Sequence, residues 1–177
     1  VTEAEDYLDR AKALKPALGQ GACDPLELAR LRKHVSDLRG VPVVAKLNSS
    51  PEAIGFANLE KAGEIGTRGP LTPDHSIFAK SVPVYLSENT GESIDTYASE
   101  YKSYFDRNAS NGLTCLDSAP RWGIWPSRGL ISFGLNPKNA AVVGDIAIHT
   151  TRVIQNSEAL GGWVPLKESD VFEVEYW

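Results

Sequence analysis

The 177-residue sequence has no methionine, two cysteines and three histidines. Two cysteines, Cys23 and Cys115, cannot build a disulfide framework or a cysteine-rich zinc site. No apolar run approaches the roughly 20 residues that a membrane-spanning helix needs, so we expect no membrane association. A net charge of -5 and a pI of about 5.2 argue against a nucleic-acid-binding surface.

The common signatures of cofactor and nucleophile sites are also absent. The sequence contains no G-x-G-x-x-G fingerprint, no phosphate-binding loop, no H-x-H, H-E-x-x-H or C-x-x-C metal motif, and no G-x-S-x-G elbow. Three scattered histidines are a poor basis for a metal site. We therefore expect neither a metal nor a bound cofactor in this segment, and the sequence assigns no catalytic residue.

The two ends of the sequence suggest its context. There is no initiator methionine, no signal-peptide pattern, and the apolar residues 171–177 stop abruptly. Two free thiols suit a reducing compartment, so we expect a cytoplasmic protein. We therefore expect a segment of a longer polypeptide, and a processed or tag-cleaved small protein is the alternative.

Helical and strand patterns alternate along the chain. Helical spacing and capping residues predict helices over residues 1–14 and 24–40, from 50 towards 59, from a Ser93 cap onward, and over 136–161. Strands are predicted over residues 41–47, 82–86, 121–125 and 130–133, and residues 63–75 are expected to form a loop. This alternation favours a layered α/β/α sandwich. The short connection after Trp125 is compatible with a hairpin, which leaves the share of parallel strands open.

The densest polar group in the sequence is the Asp74-His75 pair followed by Lys80. With Arg121 or Arg128, these side chains could form one cleft for a small anion such as a sugar phosphate or a carboxylate. The alternative is a local turn in which Asp74 bonds to nearby backbone N–H groups.

A second acid–histidine pair lies on the last predicted helix. Asp145 and His149 are one helical turn apart, which allows a base that is positioned by a carboxylate. An ordinary surface pair is the alternative, and we favour it.

Five motifs along the chain together carry a family resemblance. They are Pro73-Asp74-His75 with Lys80, the tyrosines Tyr97, Tyr101 and Tyr104, the stretch Asp117-Ser-Ala-Pro120-Arg121, the glycine-bounded residues Gly129-Leu-Ile-Ser-Phe-Gly134, and the ending Phe172-Glu-Val-Glu175-Tyr176-Trp177. In this order they resemble the middle region of bifunctional class II aldolase/short-chain dehydrogenase proteins, the rhamnulose-1-phosphate aldolase/alcohol dehydrogenase-like group.

The resemblance implies a place between two catalytic modules. Residues 1–20 would close an upstream aldolase module, residues 21–165 would form an α/β accessory domain, and residues 166–177 would begin the connection to a downstream dehydrogenase module. Zinc and NAD(P) are implied for those flanking modules, which would be the partners of this segment, and a homo-oligomer stays open. Lyase and oxidoreductase steps of bacterial carbohydrate metabolism are implied for the whole polypeptide.

A second likeness concerns the metal. Residues 129–134 and the following helix resemble the closing hairpin and helix of class II aldolase/adducin domains, where a metal-binding histidine precedes the first glycine. Arg128 stands there in this chain, and a guanidinium has no lone pair to give to zinc. The resemblance thus implies a degenerate aldolase/adducin-like fold.

Three hypotheses for function follow. The first is an accessory or scaffold domain of a sugar-phosphate aldolase/dehydrogenase. The second is an anion-binding domain that uses the Asp74, His75 and Lys80 segment. The third is an interaction module that docks a partner through Phe172, Tyr176 and Trp177.

Overall fold

A computed structural model describes residues 2–177, without the side chains of residues 8, 12 and 13. The helices are α1 (Thr2–Ala13), α2 (Pro25–Arg39), α3 (Pro51–Ala57), α4 (Ala62–Gly66), α5 (Pro73–Ala79), α6 (Thr90–Asn108), α7 (Pro137–Ala159) and α8 (Glu168–Glu175). The strands are β1 (Val44–Asn48), β2 (Val84–Tyr85), β3 (Trp122–Trp125) and β4 (Gly129–Gly134). None of the helices in this part of the chain is long and apolar enough to cross a membrane.

The four strands form one sheet in the order β1-β4-β3-β2. Strands β3 and β4 form an antiparallel hairpin, and β1 pairs antiparallel with the other edge of β4. Only β2, at the opposite edge, runs parallel to its neighbour β3. The sheet is therefore mostly antiparallel, because the short turn after β3 returns the chain directly beside itself.

Helices cover both faces of this sheet, so the predicted layered α/β/α sandwich is confirmed. Ile131 and Phe133 of β4 pack with α2, α6 and α8 on one side, which we call the α6 face. Leu130 of β4 and Ile124 of β3 pack with α3, α4, α5 and α7 on the other side, the α7 face. This division follows from the strand geometry, since successive side chains point to opposite faces.

Local capping explains where the long helices begin and end. The Asp24 carboxylate accepts a hydrogen bond from the Leu26 amide, and Gly40 ends α2 in the left-handed conformation (φ 72°). Ser50 and Asn136 cap α3 and α7 in the same way, each followed by proline in the first turn. These starts agree with the sequence-based expectations.

Three expectations for local structure were wrong. Residues 63–75 are not one loop, because α4 and the beginning of α5 lie within them. Helix α6 is capped by Asn89 rather than Ser93, whose hydroxyl instead accepts a bond from the Ser87 amide. Helix α8 was not predicted at all; Val171 and Phe172 bury its inner side against the rest of the fold. Short helices of this kind depend on packing, which local sequence patterns do not show.

Candidate functional site

Four of the five family-like motifs meet beside the α6 face of the sheet. Residues from the end of α5, the inner side of α6, the segment before β3 and the end of α8 surround one buried amine. We call this group the motif cluster: Lys80, Tyr97, Tyr101, Tyr104, Asp117, Arg121, Glu175 and Tyr176.

Lys80 lies at the centre of the motif cluster. It follows α5 with a positive φ of 61°, which is a strained conformation for a residue other than glycine. Only 3% of the residue is exposed. Its Nζ donates a hydrogen bond to the Asp117 carbonyl oxygen and stands 3.3 Å from the centre of the Tyr101 ring. Burial first, and the Arg121 guanidinium second, lower the pKa of Lys80 to about 7.

Arg121 and Asp117 form a two-pronged ion pair next to Lys80. The guanidinium donates to the two carboxylate oxygens over 2.8 and 2.7 Å. Burial alone would raise the pKa of Asp117, but the bonds from Arg121 lower it overall. Arg39 approaches the same carboxylate to 4.0 Å, and burial lowers the pKa of its guanidinium. Two guanidinium groups thus flank one carboxylate, and the Lys80 amine also favours its charged form.

Glu175 connects helix α8 to the tyrosines of α6. Its carboxylate accepts hydrogen bonds from the Tyr101 hydroxyl at 2.7 Å and the Tyr104 hydroxyl at 3.1 Å. The hydroxyls of Tyr101 and Tyr176 lie 2.7 Å apart. Burial raises the pKa of Glu175 despite these bonds, and burial also raises the pKa values of Tyr101 and Tyr104. The cluster therefore combines groups whose protonation is shifted in opposite directions.

A pocket of about 600 Å³ lies next to this cluster. Tyr97, Tyr101 and Tyr104 form one side of it, while Arg107 and Glu168 line it as an ion pair between α6 and α8. Lys80 and Arg121 are not among the residues that line this pocket. The pocket meets the tyrosine rings, whereas the charged centre of the cluster lies deeper in the protein.

The Asp74-His75 pair lies apart from the motif cluster. Both residues belong to the first turn of α5 rather than to a loop, and Asp74 faces solvent. The His75 ring instead packs edge-on against the ring of His149 from α7, with the ring centres 6.3 Å apart. Burial, followed by His149, lowers the pKa of His75, against the opposing effect of Asp74. His149 is exposed to solvent.

Arg128 lies at yet another place. It follows the β3–β4 turn, donates to the Glu27 carboxylate over 3.2 and 3.3 Å, and stacks near Trp125. Arg121 precedes β3 and Arg128 follows it, so strand β3 separates the two arginines. The predicted cleft combines Asp74, His75 and Lys80 with Arg121 or Arg128, and the structure does not bring such a set of side chains together. Lys80 and Arg121 come together, whereas Asp74 with His75 and Arg128 form two other groups.

The described residues do not fit the zinc centre of a class II aldolase. Within residues 2–177, no three or more histidine, cysteine, aspartate or glutamate side chains are placed to hold a metal ion. The guanidinium of Arg128 is engaged with Glu27 and offers no lone pair. The sequence also lacks the glycine fingerprint that holds the pyrophosphate of a dinucleotide. Residues 2–177 therefore do not present a three-ligand zinc centre of the aldolase kind.

Sequence reasoning missed part of the motif cluster. Glu175, Tyr101 and Tyr104 appeared only as letters of a family pattern, not as candidate site residues. Their helical spacing placed the tyrosines on the inner side of α6. Nothing local indicated that a glutamate some 70 positions later would accept hydrogen bonds from their hydroxyls, because α8 was not recognised as a helix.

The fold defines an α/β/α domain of the class II aldolase type, and comparison with known proteins agrees. A model of the family "Aldolase class II, second domain" matches residues 23–177, and the chain belongs to this family. The structure of YgbL from Klebsiella pneumoniae, a candidate aldolase, epimerase or decarboxylase, superposes with a TM-score of 0.50 and 13% identity, over 83% of this chain and 64% of that one. YgbL from Escherichia coli gives a TM-score of 0.49 and 14% identity, over 97% and 93% of the two chains.

One curated relative contains a region similar to this chain within a much longer sequence. The "Uncharacterized oxidoreductase YuxG" of Bacillus subtilis is 25% identical over 198 aligned residues. The match covers all of this chain but only 29% of YuxG. The region is therefore class II aldolase-related and has a counterpart inside a larger protein named as an oxidoreductase.

Proposed function

We propose that the chain is an accessory domain of a bifunctional polypeptide that joins a class II aldolase to a short-chain dehydrogenase. The family match and the small share of YuxG that the chain covers support this placement. In this proposal, a zinc aldolase module precedes the domain and an NAD(P)-dependent module follows it. The whole polypeptide would act on a sugar phosphate in the bacterial cytoplasm, with its flanking modules as the partners of this domain.

The accessory role rests on one observation: the charged and polar groups of the motif cluster bond to one another. Lys80 donates to the Asp117 backbone, Arg121 binds the Asp117 carboxylate, and Glu175 accepts from two tyrosines. Buried charges that are paired within the protein hold elements together, and leaving one partner alone is costly. The cluster thereby connects α5, α6, α8 and the segment before β3.

The two other hypotheses receive less support from the geometry. An anion cleft that includes Asp74, His75 and Arg128 is split between separate places. A docking patch formed by the last aromatic residues loses two of its members, because Phe172 and Tyr176 stack on each other and pack against Phe105. Of the three proposed docking residues, only Trp177 is fully exposed. The accessory role is therefore the better interpretation.

An activity assay tests the accessory role. The purified chain and its Lys80→Met variant are incubated with ketose phosphates and Zn²⁺, and separately with an aldehyde and NADH or NADPH. We expect no turnover above the protein-free background, with a zinc class II aldolase and a short-chain dehydrogenase as positive controls. Turnover by the chain that disappears in Lys80→Met would make the motif cluster catalytic and overturn the proposal.

A second experiment tests the longer polypeptide. An antibody raised against the chain is used to detect the native protein in lysate of the source cells. We expect a band far above the 19.2 kDa of this chain. A native species of 19.2 kDa as the sole product would contradict the placement between two modules.

A further inference from the structure

Two histidines that are distant in sequence meet where helix α5 packs on helix α7. Asp74 with His75 belongs to α5, and Asp145 with His149 belongs to α7. The two helices pack against each other and bring the imidazole rings to a centre-to-centre distance of 6.3 Å. The motif cluster uses neither ring, and the ion pairs that stabilise α7 involve other residues, such as Arg152 with Glu52.

The His75 ring has a buried nitrogen that no protein group satisfies. Its Nδ1 is enclosed and has no hydrogen-bond partner among the described residues. A buried polar atom of this kind is uncommon in folded proteins, because it costs free energy to leave it unpaired. The neighbouring ring belongs to His149, whose side chain reaches solvent, so the pair is accessible from outside.

The spacing of the two rings suits a shared metal ion. An imidazole nitrogen lies about 1.1 Å from its ring centre and about 2.0 Å from bound zinc, so rings sharing one ion have centres roughly 5 Å apart at a tetrahedral angle and roughly 6.2 Å apart when the two nitrogens face each other across the ion. The observed 6.3 Å corresponds to the second arrangement, and a tetrahedral ion requires the rings to approach each other by about 1 Å. The interplanar angle of 87° presents no obstacle, since histidine rings rotate broadly about χ2.

We propose that His75 and His149 form a two-imidazole site for a borderline divalent transition metal such as Zn²⁺ or Ni²⁺. Neutral imidazole is a preferred ligand of these ions. The Asp74 carboxylate adds negative charge next to His75. Water completes the coordination, so the ion exchanges readily and its binding clamps α5 to α7.

The three histidines of the chain provide a matched experiment. The protein is prepared without a histidine tag and titrated with Ni²⁺ by calorimetry at neutral pH, alongside His75→Gln, His149→Ala and His34→Ala. His34 bonds to Asp95 at 2.8 Å on helices α2 and α6, away from the pair. We expect one binding event that weakens by more than about tenfold in each of the first two variants and is unchanged in His34→Ala.

Thermal unfolding gives a second readout that does not depend on heat of binding. Ni²⁺ should raise the melting temperature of the wild type and of His34→Ala, because an ion that binds only the folded state stabilises it. It should leave His149→Ala unchanged, and this exposed position is safe for folding. Equal Ni²⁺ binding by all four proteins, or loss of binding in His34→Ala, would overturn the site.

Discussion

The two faces of the sheet bury different types of side chain. Among the residues that the structure describes, twelve form the buried core of the α7 face, of which five are alanine and two are aromatic. On the α6 face, one of fourteen is alanine and six are aromatic, three of them tyrosines. Hydroxyls on the α7 face bond to nearby backbone carbonyls, as Ser132 does to Ala140. The α6 face instead borders the buried charges of Lys80, Arg121 and Glu175.

This difference means that close packing stabilises one face of the sheet and polar pairing stabilises the other. On the α7 face, small side chains let α7 approach the strands closely, so stability depends on shape. On the α6 face, the tyrosine hydroxyls and the neighbouring charged groups are inside the protein. Stability there depends on a hydrogen-bonding or ionic partner for each of these groups. The family-like motifs lie mostly beside the α6 face. Their residues are the ones that the polar network needs as hydrogen-bonding and ionic partners.

We expect the largest loss of stability from a methyl group added where β4 and α7 are in close contact, on the α7 face. A Cβ at Gly134 would lie 2.2 Å from the Ala140 amide nitrogen of α7. Gly134→Ala must separate β4 from α7, and we expect it to lower the free energy of unfolding by about 3 kcal/mol. Denaturant unfolding, followed by circular dichroism, measures this change.

The matched control for that substitution is Gly91→Ala in the first turn of α6. There the nearest atom outside the local helix backbone is an Asn89 side-chain oxygen at 3.5 Å, an ordinary contact distance. Alanine favours helix over glycine, so this variant should be about 0.5 kcal/mol more stable than the wild type. If both variants unfold at the same denaturant concentration, close packing does not govern the α7 face.

The next largest effect is expected from opening the network of the α6 side. Asp117→Ala removes the carboxylate that binds Arg121 and that favours the charged form of Lys80, while the bond from Lys80 to the backbone carbonyl of residue 117 remains. Removing one partner of a fully buried pair costs about 3 to 5 kcal/mol, and because Asp117 is 30% exposed we expect about 2 kcal/mol. Asp37→Ala, which breaks the solvent-exposed pair with Lys33, is the control and should cost little. Similar losses in both variants would remove the distinction between buried and surface charges.

The depressed pKa of Lys80 predicts a pH dependence of stability. Unfolding restores the ordinary value of 10.5, so between pH 7 and 10 the unfolded chain binds more protons than the folded chain. The free energy of unfolding should therefore rise with pH for the wild type relative to Lys80→Met, by at most about 1.4 kcal/mol per pH unit. Unfolding curves measured across this pH range, with Lys102→Met as the control for loss of one lysine, test the prediction. A difference that does not change with pH would mean that Lys80 stays charged in the folded protein.

Much of the fold could be predicted because its signals are local. Asp24, Ser50 and Asn136 lie where capping residues are expected, and the turn after Trp125 is short enough for a hairpin, which the structure confirms. Helix α8 has no capping side chain at its start, and helix α5 has a proline in its first turn but no side-chain hydrogen bond from Thr72. Each is a short segment that becomes helical when Ala79 or Phe172 is buried against other elements.

The candidate site could be predicted only in part, for a related reason. Lys80 and Arg121 were proposed together, and the structure does bring them together. The sequence could not show which of Arg121 and Arg128 joins Lys80. The two arginines lie at opposite ends of strand β3, so Arg121 is beside the motif cluster and Arg128 is beside Glu27. The contact of His75 with His149 joins residues more than 70 positions apart, and it depends on how α5 packs on α7.

The smallest effect is expected at the rim of the α6 side, where the same chemistry is exposed to water. Arg107 donates to the Glu168 carboxylate over 3.2 and 2.8 Å, but the two side chains are 56% and 48% exposed. Glu168→Gln should cost about 0.5 kcal/mol, part of it from lost charge at the start of α8.

Salt distinguishes this rim pair from the buried pair of Arg121 with Asp117. At about 1 M NaCl the screening length falls to about 3 Å, so the difference between the wild type and Glu168→Gln should vanish. The difference between the wild type and Asp117→Ala should persist, because salt screens buried charges much less. Both arginines make two hydrogen bonds to a carboxylate, so burial rather than bond geometry would explain the contrast. If salt removes both differences equally, water reaches the motif cluster, and the scaffold role proposed for it loses its physical basis.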